Sequence, residues 1–160
     1  LSRLGRVSES QEMVSSNRVV QEILHDLRFT IEDKGVRVTA AEDLPDVRYN
    51  ATQLTMVFRN LIANALKFND KPDPAITIGC ERRRDHVVFS VTDNGIGIEP
   101  QYYEKIFLIF QRLQRSEAYR GTGAGLTIVK KIVEKHRGRI WVESVVGSST
   151  TFFFTVPIQG

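Results

Sequence analysis

Residues 86–98 read HVVFSVTDNGIGI, an alternating apolar and polar stretch that ends in an acid followed by two glycines. The period of two predicts a half-buried strand through Asp93, and the Asn-Gly and Ile-Gly steps predict a sharp break after it. An Asp at such a break most often caps nearby amides in a turn. The alternative is that Asp93 accepts a hydrogen bond from an exocyclic amine, as of adenine, while Gly95 and Gly97 let the backbone approach a flat base. On these residues alone, both readings stand.

Working outward, AITIGCE (75–81) predicts a second strand, joined to the first by the arginine-rich turn ERRRD (81–85). Before it, residues 52–68 carry Leu54, Val57, Phe58, Leu61 and Ala65 on one helical stripe, and Asn50 offers an N-cap. Asn60, Asn64 and Lys67 follow one another at steps of four and three, so they share another face of that helix. Amides and a lysine on a helix are ordinarily its solvated side. Amide oxygens also suit Mg²⁺, a hard cation that leans on phosphates, and a lysine supplies a point charge for a phosphate.

Further upstream, Val20, Ile23, Leu24, Leu27 and Ile31 predict one amphipathic helix over 17–33, closed by Lys34-Gly35. VRVTA (36–40) and VRY (47–49) read as short strands, expected as a hairpin-like pair. Leu1, Leu4 and Val7 have near-helical spacing and give way to the polar SESQEMVSSN (8–17), which reads as a linker. Residues 1–16 are therefore expected to be the remnant of an upstream helix and its linker, and 17–160 the main domain.

Downstream, YYEKIFLIFQRL (102–113) predicts a short helix and QRSEAYRGTGAG (114–125) a mobile loop. Leu126 to His136 reads as a helix ended by Gly138, and RIWVES (139–144) and TTFFFTVP (150–157) as two last strands. Gly121, Gly123 and Gly125 fit neither the spacing of a dinucleotide fingerprint nor that of a P-loop, and no strand precedes them. What remains is a flexible loop with glycine hinges, or a phosphate cradle at the free N–H groups of the following helix.

At 160 residues, with 41% hydrophobic and 26% charged, the chain has room for one domain with a proper core. Its longest apolar runs are far too short to span a bilayer, and no signal segment opens it, so a soluble domain is expected. Cys80 is the only cysteine, which excludes an internal disulfide and fits a cytoplasmic setting. The net charge of +3 is scattered, and no aromatics interleave with the arginines, so nucleic-acid binding is excluded.

The ordered set NLIANALKFND, DNGIGI, IFLIFQRL, GTGAGLTIVKKIVEKHRGRIWVES and TTFFFTVP closely resembles the ATP-binding catalytic domain of sensor histidine kinases. These belong to the ATPase superfamily shared with type II topoisomerases, MutL and heat-shock chaperones, and the wording is most like kinases coupled to phytochrome or PAS sensors. The resemblance covers roughly residues 17–158. It implies an α/β two-layer sandwich of the Bergerat type, with helices on one face of a mixed sheet.

It further implies that Asn64 and Asn60 coordinate Mg²⁺, that Lys67 meets the phosphates, and that Phe68 lies beside the base of ATP. Asp93 would bind the adenine amine, helped by Gly95, Gly97, Ile98 and, through water, Thr151. Phe107 and Phe110 fall in an aromatic box, and Arg112 begins a lid over the triphosphate. Gly121, Thr122, Gly123, Ala124, Gly125 and Leu126 would form the end of that lid and the phosphate-facing start of the next helix. Ala124, Arg137 and Ser149 depart from the family's pattern, which puts lid shape in question more than binding.

Superfamily members that hydrolyse ATP commonly carry Glu where Asn60 stands, because activating water needs a general base. Transfer to a neutral imidazole needs none, since the attacking nitrogen already has its lone pair. The resemblance therefore implies a histidine kinase domain using ATP and Mg²⁺. Its partners would be an upstream dimerisation and phosphoacceptor domain, present as a homodimer, and a downstream response regulator receiver domain, with no membrane contact of its own. The alternatives are a hydrolysing module of the same superfamily and a nucleotide-binding interaction module without chemistry. HDLRFT (25–30) superficially resembles an acceptor motif, but His25 shares a polar face with Gln21, Arg28 and Glu32, and the acceptor is expected upstream.

Overall fold

The computed structural model describes residues 10–108 and 123–158. In chain order it comprises β1 (Glu12–Ser15), α1 (Ser16–Asp26), α2 (Arg28–Lys34), β2 (Arg37–Ala40), β3 (Asp46–Tyr49), α3 (Ala51–Lys67), β4 (Ala75–Arg82) and β5 (His86–Asp93). Two 3₁₀ turns at Pro100–Tyr102 and Lys105–Phe107 come next, then α4 (Gly123–Lys135), β6 (Ile140–Val145) and β7 (Ser149–Pro157). Five strands form a mixed sheet in the order β2-β4-β5-β7-β6, parallel only between β2 and β4. β1 and β3 form a separate antiparallel pair.

The alternation in β5 and β7 sends Val87, Phe89, Val91, Phe152, Phe154 and Val156 to one face of the sheet, where they are buried. There they meet the apolar stripe of α3, which packs in turn against α1 and α4. At the centre the rings of Phe58, Phe89 and Phe154 lie 5.1–5.3 Å apart. This is an α/β two-layer sandwich with helices on one face. Truncating one of these phenylalanines to Ala would cost about 3–5 kcal/mol.

Several local expectations change. The helix expected over 17–33 starts at Ser16, capped by the Ser15 hydroxyl (3.1 Å from Arg18 N), and breaks at Leu27, where φ is −96° and ψ 10°. Gly35, at φ 66°, ends the second piece as the sequence predicted. VRVTA and VRY are not a hairpin: the first runs parallel to β4, and the second pairs with β1. The stretch read as linker thus supplies a strand, in which Val14 is buried against the core while Glu12 and Met13 are exposed. Residues 1–9 lie outside the described residues.

α4 begins at Gly123 rather than Leu126, and the residue that leaves its end with positive φ is Arg137 (φ 66°). The expected helix over 102–113 is two 3₁₀ turns as far as Leu108. No helix among the described residues is long and apolar enough to cross a membrane.

Two histidines receive structural explanations. His136 is buried and stacks on Tyr49, with ring centroids 3.6 Å apart. Its Nδ1 lies 2.9 Å from the Ile132 carbonyl, which only accepts, so Nδ1 carries the proton; Nε2 then accepts from the Asn50 amide at 3.4 Å. His25 is exposed on α1.

Candidate functional site

The antiparallel register pairs Asp93, the last residue of β5, with Thr150 of β7. Both sit on the face that carries the core, so Asp93 directs a carboxylate into apolar surroundings beneath the helices. It is 7% exposed, and burial pushes its pKa up to about 6, partly opposed by the Gly95 amide, which donates to Oδ1 at 2.8 Å. Among the described residues no group donates to the second carboxylate oxygen.

That carboxylate opens on a cleft that communicates with solvent. Asn64 and Phe68 from the end of α3, Ile96, Gly97 and Ile98 after β5, Leu126 from α4, and Thr150 and Phe152 from β7 line it. Its mixture of apolar walls with a few convergent polar groups is that of a small-molecule site.

The glycines are required by close approach. A Cβ on Gly95 would lie 2.5 Å from the Phe68 carbonyl oxygen and 2.9 Å from Asp93 Oδ1. Gly97 has φ 79°, and a Cβ there would lie 2.6 Å from the Val145 carbonyl oxygen. Asn94 fixes the same loop from behind: its Oδ1 accepts from Asn69 Nδ2 (2.7 Å) and the Ala75 amide (2.8 Å), and its Nδ2 donates to the Asp73 carbonyl (3.0 Å). The chain leaving α3 and the chain leaving β5 are thereby held together.

At one end of the cleft α4 crosses α3 closely. A Cβ on Gly125 would come within 2.6 Å of Asn60 Oδ1, so the glycine leaves room for that amide against the first turn of α4. Asn60 Nδ2 donates to the Met56 carbonyl at 2.8 Å, which turns Oδ1 towards α4. Asn64 lies one turn further along α3 and lines the cleft directly. The Lys67 ammonium is 5.6 Å from the centroid of the Phe68 ring.

The structure thus brings together Asn60, Asn64, Lys67, Phe68, Asp93, Gly95, Gly97, Ile98, Gly125 and Leu126. Two positions differ from the sequence reading. Thr151 does not face the cleft: it pairs with Thr92, and the two hydroxyls bond to each other at 2.9 Å on the other side of the sheet. Thr150 takes its place, because side chains alternate along a strand and a one-residue error exchanges the faces. Phe107 is buried behind the cleft, edge-on to Phe152 at 6.2 Å, and its carbonyl accepts from the Thr127 hydroxyl at 2.7 Å. Phe110, Arg112, Gly121 and Thr122 lie outside the described residues; Gly123 and Ala124 enter only as the backbone of the first turn of α4.

Ile96, Thr150 and Phe152 were not anticipated. The period-two pattern of Phe152, Phe154 and Val156 was the available signal for the last two, since it assigns Thr150 to the buried face.

Residues 49–160 match the family model for histidine kinase-, DNA gyrase B- and HSP90-like ATPases. The chain belongs to this family. Within the ATPase family it is 49% identical over 149 residues to cyanobacterial phytochrome A of Nostoc sp., an alignment covering 93% of this chain and 19% of that protein. It is 38% identical over 158 residues to the methanogenesis regulatory histidine kinase FilI of Methanothrix harundinacea, covering 98% of this chain and 18% of that one. The chain therefore spans about a fifth of the length of these relatives. Among solved structures, the nucleotide-free catalytic domain of histidine kinase ThkA superposes with a TM-score of 0.78 at 26% identity, covering 92% of this chain and 97% of that one. The mycobacterial sensor histidine kinase MprB gives 0.76 at 26% identity, over the same shares of each chain. The mixed sheet covered by helices on one face is the catalytic-domain fold of histidine kinases.

Proposed function

We propose that this domain binds Mg-ATP in the cleft and donates its γ-phosphate to a histidine on an upstream dimerisation domain, in two-component signalling. The observation that carries the reading is Asp93: a buried carboxylate with one oxygen held by Gly95 and the other turned to a largely apolar cleft. An exocyclic amine supplies the missing donor, and its hydrogen bond offsets the cost of keeping the charged acid buried.

Phe68 and Ile98 flank the base, and Gly97 leaves room for it. Asn64 and Asn60 offer hard, neutral amide oxygens, a donor set that fits Mg²⁺ completed by phosphate oxygens and waters. When bound, Mg²⁺ neutralises phosphate charge. Lys67 adds a positive charge at the same end, and the free amides of the first turn of α4 favour an anion. Gly123, Ala124 and Leu126 belong to that turn. We assign Phe110 to the aromatic box, and Arg112, Gly121 and Thr122 to the lid, on the family resemblance alone.

An asparagine at position 60 cannot take a proton from water, which disfavours hydrolysis. Phosphoryl transfer to a neutral imidazole needs only alignment and charge neutralisation, and the residues above offer both. The further partner is a response regulator receiver domain, and the setting cytoplasmic.

The test is saturable stabilisation by Mg-ATP, about 2.7 kcal/mol at a hundredfold excess over Kd, followed by incubation with a separately produced upstream hairpin. Acid-labile phosphate on the hairpin is expected. Absence of any nucleotide-dependent stabilisation, or phosphorylation of the isolated chain on His25, would overturn the proposal.

A further inference from the structure

Ser144, on the outermost strand β6, is a node that neither the family resemblance nor the cleft lining brings forward. Its hydroxyl has three neighbours: the Ile98 amide at 2.8 Å, the Ser149 carbonyl oxygen at 2.6 Å and the Thr150 hydroxyl at 2.9 Å. A hydroxyl has one proton to give and two lone pairs with which to accept. The Ile98 amide only donates and the Ser149 carbonyl only accepts. The Ser144 proton therefore goes to Ser149, because an oxygen contact of 2.6 Å without a proton between the atoms would be repulsive. Thr150 must then donate its own proton to Ser144. Nothing is left over on the Ser144 oxygen.

The consequence appears in the cleft. Thr150 lines it beside its register partner Asp93. With its proton committed to Ser144, the Thr150 oxygen presents only lone pairs there, next to the open oxygen of the Asp93 carboxylate. The polar floor of the cleft accepts hydrogen bonds and does not donate them.

Tyr103 holds the node in place. Its phenol donates to the Ser144 carbonyl at 3.0 Å and accepts from the Ser144 amide at 2.9 Å. The strand at Ser144 is thus pinned on both its backbone groups, which keeps the hydroxyl within reach of Ile98 and Thr150.

We infer that Ser144 is a specificity-determining positioning residue: by holding the Thr150 proton it makes the cleft floor acceptor-only, so that a 6-amino purine is preferred over a 6-oxo purine. This rests on the adenine reading above. A 6-amino group turns hydrogens towards such a floor, whereas a 6-oxo group turns lone pairs towards it. Removing the Ser144 hydroxyl frees the Thr150 hydroxyl to rotate and donate to the oxo group.

Calorimetric Kd values for Mg-ATP and Mg-ITP on the whole chain test this. Wild type is expected to prefer ATP, and Ser144→Ala to lower the ATP-over-ITP preference about tenfold, the effect of one gained or lost hydrogen bond. Ser144→Thr keeps a hydroxyl and should restore the wild-type ratio, which a merely structural role would not require. If Ser144→Ala fails to fold, Thr150→Val decides: it removes the acceptor and should lower the same ratio. An unchanged ratio in Ser144→Ala, or in Thr150→Val where that variant decides, overturns the inference, as does an equal fall in Ser144→Thr. A wild-type chain that binds neither nucleotide refutes the adenine reading itself, and the inference with it.

Discussion

Replacing Asp93 with Asn should make the nucleotide-free domain more stable while removing its nucleotide affinity. The fold raises the acid's pKa from 3.8 to about 6, so the native state favours the protonated form. Below pH 3.8 both states are protonated and burial of the acid carries no ionisation penalty. As pH rises the unfolded state gains by ionising first, and the penalty grows until the native acid ionises as well near pH 6. At 1.36 kcal/mol per pKa unit, the plateau at pH 7.5 is about 3 kcal/mol, with about half of that at pH 5. Asparagine does not titrate, and its amide oxygen can still accept the Gly95 N–H. Urea unfolding should therefore show Asp93→Asn more stable than wild type by up to about 3 kcal/mol at pH 7.5, equivalent to a Tm gain of roughly 6–12 °C. The advantage should halve at pH 5, and Mg-ATP should add no further stability. A variant less stable than wild type at pH 7.5, or a gain independent of pH, would refute the reasoning.

Three other substitutions probe the supports of the cleft. Gly125→Ala would place a Cβ 2.6 Å from Asn60 Oδ1 and displace that amide, so the Mg²⁺-dependent part of ATP affinity should fall about tenfold while Mg²⁺-free binding changes little; titrations with and without Mg²⁺ separate the two. Arg137→Gly relieves a non-glycine residue at φ 66°, which costs about 1–2 kcal/mol, less the extra freedom glycine gives the unfolded chain. A net gain of about 0.5–1 kcal/mol in guanidinium melts is expected, with ATP affinity unchanged. Tyr103→Phe deprives the Ser144 amide and carbonyl of their partner and should cost about 1–2 kcal/mol of stability by the same melts.

What could be read from residues alone follows from locality. The stripe of α3, its Asn50 cap, the alternation through Asp93 and the αL glycine after α2 are encoded within one or two turns of chain, and each is found where it was expected. β1 was hidden because its partner, β3, is more than thirty residues away and only Val14 of its four residues is buried, so Glu12–Ser15 looks like a linker. The break at Leu27 interrupts a stripe that continues unbroken in sequence. Thr150 and Thr151 are chemically equivalent, and only the register of β7 against β5 separates them. The networks around Asn94 and Ser144 join residues from several elements, so no window of sequence contains them.

The phenol of Tyr103 also bears on how copies of this domain meet one another. A strand at the margin of a sheet offers bare amides and carbonyls to any neighbour that approaches in extended form. One margin here, β2, is only four residues long, and the other, β6, has its amide and carbonyl at Ser144 already occupied by a side chain. A single hydroxyl stands in for an added strand without continuing the ladder, so that this point of the sheet ends in a ring that no further strand can extend. Concentrated solutions of the Tyr103→Phe variant would therefore tend towards strand-to-strand association at that margin.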